Sequence, residues 1–279
     1  MNSPNALSMT FQGIWIRAIA RVWYHRSRLV VATFGFWVPW NLVFAGYDPT
    51  FEPFAAFGMT LSDLLAIAVE PIYAALVLVI IASPDEPQWD TITSRSLWLV
   101  PRLWLITIKV TALAIVVPYA VLHIGSAVIL TWWETYAAAK MIVALTAVSF
   151  VWVPFVYFAY VLTAPVLIAQ TASERWAAAT GDASSSAEEK YGISTGWALR
   201  TSRRLVRGFI GQTVFVAVTG QAFVSLVTVI IPPNAGLITV VAESLAALSY
   251  AVWWALLWEL LITCVSRDES HDTARVTPV

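Results

Sequence analysis

Apolar runs of about 20 residues recur along this chain, the length of helix that crosses the hydrocarbon core of a bilayer. The reading is therefore an all-α polytopic membrane protein, because a chain in hydrocarbon must satisfy its backbone polar groups within its own helices. Composition agrees. Apolar residues make up 59% of the chain and charged residues 12%, the latter about half of what a soluble domain carries. Mean hydropathy is +0.74. This balance excludes a soluble enzyme, a disordered chain and a nucleic-acid-binding module.

Six spans are placed at residues 29–47, 59–82, 98–122, 141–168, 209–231 and 237–265. Pro101 and Pro118 are expected to interrupt the third. Residues 123–140 are apolar yet hold Gly125, Trp132, Trp133 and Glu134, which reads as an interfacial or re-entrant segment. The organisation is then an interfacial helix over 1–28, a transmembrane domain over 29–266 with a cytosolic segment at 169–207, and a polar tail over 267–279. No internal repeat is evident, which argues against an inverted-repeat transporter.

Basic residues set the orientation. With the N-terminus inside, 14 of the 16 lysines and arginines fall on the inner side; Lys140 lies outside and Lys109 within a span. Both termini are thus expected in the cytosol, and the arginine-rich composition points to a bacterial inner membrane. Several of the 15 tryptophans fall near span ends, where an indole keeps its N–H wet.

Residues 10–28 form an amphipathic pattern. Phe11, Ile14, Trp15, Ala18, Ile19, Val22 and Trp23 recur at helical spacing, with Arg17, Arg21, His25 and Arg28 on the other side. Such a helix is expected in the headgroup plane, basic face toward anionic lipid; the alternative is that it packs on the protein's own cytosolic face. A second basic helix is expected at TGWALRTSRRLVRG, where Arg200, Arg203, Arg204 and Arg207 face phosphates while Trp197, Leu199, Leu205 and Val206 dip into the membrane or pack on the bundle. With Arg17, Arg21 and Arg28 these would form a collar for anionic headgroups.

Ionisable groups inside spans are Asp63, Glu70, Lys109, Glu243 and Glu259. Asp63 and Glu259 lie near span ends and are expected to reach water. Glu70 lies near mid-span beside Pro71, and Asp63, seven residues earlier, shares its face. A charge there needs a partner. The reading pairs Glu70 with Lys109 on the neighbouring span, as a register-fixing ion pair or as a relay, with Glu243 joining the same cavity.

The chain has one cysteine, Cys264, so neither a disulfide nor a cysteine metal cluster forms. No metal or cofactor motif appears. Gly192 to Gly196 match G-x-S-x-G, but no strand-turn-helix context or partnering histidine accompanies them, and Ser194 or Thr195 reads as a helix N-cap.

Ala164 to Ile168 end the fourth span at a proline, and Gly192 to Gly208 lead through Ser202, Arg203, Arg204 and Leu205 into the fifth. This arrangement resembles the bacterial six-span family of the glycerophosphoryl diester phosphodiesterase membrane domain and YciC-like inner-membrane proteins. The resemblance implies a six-span domain with no catalytic residues of its own. The functional expectation is a non-catalytic membrane protein that binds anionic phospholipid or supports a membrane complex through a protein partner. The alternative is a small permease built on Glu70 and Lys109.

Overall fold

The computed structural model describes residues 11–44, 61–83, 85, 87–132, 135–169, 195–230 and 237–276. Among them the protein is all helix and turn, with no strand. The helices are α1 (Phe11–Tyr24), α2 (Arg26–Phe44), α3 (Leu61–Ala82), α4 (Trp89–Thr111), α5 (Val117–Trp132), α6 (Thr135–Tyr160), α7 (Thr195–Gly208), α8 (Ile210–Val229) and α9 (Leu237–Val276). Four stretches of described residues are long and apolar enough to cross a membrane: Trp89–Thr131, Ala137–Ala169, Ile210–Val227 and Val240–Ser266. Val69–Ala82 is a shorter apolar helix.

Helix α9 is the hub, packing against α1, α2, α3 and α8. Its small and aliphatic residues Ala251, Ala255, Leu256, Leu257 and Leu260 are fully buried, as are Leu78, Ile80 and Ile81 of α3. Apolar burial alone gives little drive for association between helices already in lipid, so close packing and polar contacts carry more of it. Gly220 of α8 is one such close contact. A methyl group there would overlap the Trp253 ring and come within 3.2 Å of Leu256 Cδ1. The buried Tyr73 hydroxyl is another. It donates to Ala247 O at 3.0 Å and lies 3.0 Å from Thr33 Oγ1, tying α2, α3 and α9 together.

One expectation is corrected here. The helix of the third span does not stop near residue 122 but runs on through residues 123–132. Trp89–Thr131 is helical throughout its 43 residues, about 65 Å at the rise of an α-helix and roughly twice the thickness of a bilayer core. Pro118 does not break this rod because a π-turn, Ala112–Val116, precedes it. In π register, residue 118 would donate to the carbonyl of residue 113, and proline has no N–H to give. Trp152 of α6 supplies the missing donor, its Nε1 lying 2.9 Å from Leu113 O. Beyond this point α5 and α6 form a helical hairpin whose Val121, Ile124, Val128, Leu130, Val143 and Val148 are exposed.

The polar segment beyond residue 266 continues α9 as helix to Val276. The helix after α6 behaves closer to expectation. It breaks at residues 161–162 and resumes over 163–169, where the Pro165 ring and missing donor disturb the turn before it.

Candidate functional site

The most deeply buried charge is Glu259 on α9, 2% exposed. Two guanidinium groups from α1 hold it. Arg17 Nε donates to Oε2 at 2.9 Å and Arg21 Nε to Oε1 at 2.7 Å. Arginines four residues apart share a helix face, so the spacing in α1 matches the two oxygens of one carboxylate. Each arginine also reaches further. Arg17 Nη2 donates to Thr263 Oγ1 at 3.0 Å, and Arg21 Nη1 donates to Ile81 O at the end of α3, also at 3.0 Å. The clamp therefore joins residues 17–21, 81 and 259–263.

This corrects one sequence-based expectation: Glu259 does not reach water. Arg17 and Arg21 give their Nε donors to Glu259 while 34% and 27% of their side chains stay exposed, and Arg28 lies over the Trp89 ring at 5.3 Å. His25 is buried as well. The large apolar residues that α1 leaves exposed are Phe11, Ile16, Ile19, Trp23 and Tyr24. The reason is that α1 is apolar on both sides of its arginine stripe, and the Glu259 charge decides which way the stripe faces.

A second polar place lies between α3, α4, α6 and α9. A cavity of about 230 Å³ opens there, bordered by Glu70 and Pro71 of α3, Thr107 and Thr111 of α4, Tyr157 and Tyr160 of α6, and Trp253 and Trp254 of α9. Tyr157 and Tyr250 are within electrostatic reach of the Glu70 carboxylate. Thr163, 1% exposed, also borders the cavity, and its Oγ1 has no hydrogen-bond partner.

The Glu70–Lys109 pair is not formed. Lys109 Nζ donates instead to Thr195 Oγ1 of α7 at 3.1 Å. Helical phase explains this. Thr107 and Thr111 face the cavity, and Lys109, two residues from each, projects about 200° round the helix from both. Among the described residues Glu70 has no ion pair. Glu243 is exposed and lies eleven residues before Trp254, about 16 Å along α9, so it does not border the cavity. Asp63 falls in α3, with its side chain outside the described residues.

The third place is α7. Ala198, Ser202, Leu205 and Val206 are buried against the bundle, whereas Arg200, Arg203, Arg204 and Arg207 are exposed beside a partly exposed Trp197. Ser202 Oγ donates to Ala159 O of α6 at 3.3 Å, and Lys109 secures the first turn through Thr195. Ser194 lies outside the described residues.

Comparison of the chain with protein-family models, with characterised proteins and with solved structures finds no match. Among the described residues no three metal-ligating side chains cluster. The clamp was missed in the sequence, although a signal was present: an Arg pair at i, i+4 outside the spans and an unbalanced glutamate at the inner end of the last one.

Removing Glu259 leaves two guanidiniums facing each other in a poorly solvated site. Glu259→Ala should cost about 3–5 kcal/mol of stability, the usual penalty for breaking a buried pair. Arg17→Ala or Arg21→Ala should each cost less, because the other arginine remains. Thermal unfolding in detergent checks the order; an arginine variant less stable than Glu259→Ala would contradict it.

Proposed function

We propose that this chain is a non-catalytic integral membrane protein that binds anionic phospholipid headgroups on its inner face. The observation that carries the reading is the division of α7, small and apolar residues inward and four arginines outward. A guanidinium at a membrane surface attracts anionic lipid by about 1 kcal/mol, and Trp197 beside the stripe suits the headgroup region. The protein serves as a lipid-binding or accessory element of a membrane complex, in keeping with the resemblance carried by residues 192–208. A relay through Glu70 and Lys109 loses its footing, since Lys109 is engaged with Thr195.

Purification in mild detergent tests the lipid reading. The wild-type chain should retain phosphatidylglycerol over phosphatidylcholine, and replacing Arg200, Arg203, Arg204 and Arg207 by glutamine should abolish that preference without lowering the unfolding temperature. An unchanged preference would overturn the assignment to α7.

The topology that goes with this function has six spans, the four apolar stretches together with α2 and α3, and both termini in the cytosol. Its support is the 12 basic residues at positions 17–28, 175–207 and 267–275, all on one side, against Lys140 on the other. Single cysteines placed at residues 45–58 and 232–236, on a Cys264→Ser background, should react with an impermeant maleimide from outside intact cells. Reaction only after the cytosolic side is opened would refute it.

A further inference from the structure

The Glu70 cavity carries an inference of its own, independent of lipid binding at α7. It presents one carboxylate without a basic partner among the described residues, several hydroxyl groups and a set of aromatic rings. The cations nearest in sequence are all turned elsewhere. Lys109 donates to Thr195. Arg102, next to the lining residue Leu103, folds back over the Trp98 ring at 3.5 Å and donates through Nη1 to Trp98 O at 2.9 Å. The exposed arginines of α7 lie on the side of that helix away from the bundle. Glu70 is exposed at the mouth of the cavity; within a membrane a carboxylate there still needs a compensating charge, and no side chain bordering the cavity supplies it.

We propose that the cavity is a binding site for a small monovalent organic cation, a quaternary ammonium or protonated amine, held by Glu70 among Tyr157, Tyr160, Trp253 and Trp254. Aromatic rings attract weakly hydrated organic cations through their quadrupoles, and tryptophan does so best. A hard metal ion calls for six or more oxygen ligands, which one carboxylate and scattered hydroxyls do not provide. Thr163 Oγ1, buried and without a partner at the cavity wall, is placed to meet a polar substituent on the ligand. A volume of about 230 Å³ holds a small organic cation of a few heavy atoms. Gly220 contributes from behind: the close approach it allows keeps α8 against the Trp253 ring.

Choline and its neutral carbon isostere, 3,3-dimethylbutan-1-ol, separate charge recognition from simple cavity filling. Binding of each to the full-length protein in lipid nanodiscs is measured by calorimetry. Choline should bind saturably at one site per chain, and the isostere at least about tenfold more weakly, the loss of one cation–π or charge contact. Glu70→Gln, which keeps the shape, should weaken choline at least tenfold. Trp254→Leu should weaken it, and Trp254→Phe should restore part of the loss. This comparison in the wild-type protein needs no variant to fold. Equal affinity for choline and the isostere, choline binding unaltered in Glu70→Gln, or no binding of choline to the wild-type chain would each overturn the proposal. Loss of the α7 arginines should leave choline binding intact, so failure of the lipid assignment and failure of this one are told apart.

Discussion

One carboxylate, buried where two arginines from another helix can reach it, holds this bundle in register. Glu259 is 2% exposed and has a guanidinium on each oxygen. Taking such a group out of water is costly, and the cost is offset only when every lone pair finds a donor. Two Nε donors meet that requirement, and the spare nitrogens bind Thr263 and the last turn of α3. The result joins the N-terminal helix, the end of α3 and the inner part of α9. Further along α3 and α9 are Glu70 and Trp253–Trp254, and the cavity lies between them. Fixing one end of these two helices fixes the walls of the cavity at the other.

The same principle recurs in smaller form. At several places a neighbouring helix supplies the partner for a polar group that its own helix leaves unpaired. Trp152 serves the Leu113 carbonyl that Pro118 cannot, which lets a long rod continue through a proline. Tyr73 serves the Ala247 carbonyl and Thr33. Lys109 anchors the first turn of α7. In a medium without water these contacts replace hydration. Other buried polar atoms have no partner among the described residues, Trp37 Nε1, Ser96 Oγ, Thr213 Oγ1 and Thr163 Oγ1 included, and of these Thr163 borders the cavity that Glu70 lines. The cavity reads as a ligand site because a carboxylate and aromatic rings border it with no cationic side chain among its lining residues.

Periodicity and length made the all-helical class legible, and the α7 face was visible because its arginines are clustered on a polar helix with no competing carboxylate. The N-terminal helix shows where such reading stops. Its arginine stripe and both flanking apolar faces were plain, but which way the stripe points depends on Glu259, some 240 residues away. The Glu70–Lys109 pairing rested on depth and on the two spans being neighbours, and ignored helical phase, which turns Lys109 away from Thr107 and Thr111. The rod through Pro118 was hidden for a similar reason: its rescue by Trp152 comes from another helix. Local pattern reports what a segment needs; only the tertiary arrangement reports who supplies it.

The central claim is that Arg17, Arg21 and Glu259 act as one unit. Thermal unfolding of three proteins in the same detergent tests it: the wild type, Glu259→Leu, and the triple variant Arg17→Met, Arg21→Met, Glu259→Leu. If the carboxylate matters because it neutralises the arginines, removing all three charges should recover most of the Tm lost by Glu259→Leu alone. A triple variant less stable than Glu259→Leu, by the sum of the separate arginine losses, would show that the three residues contribute independently.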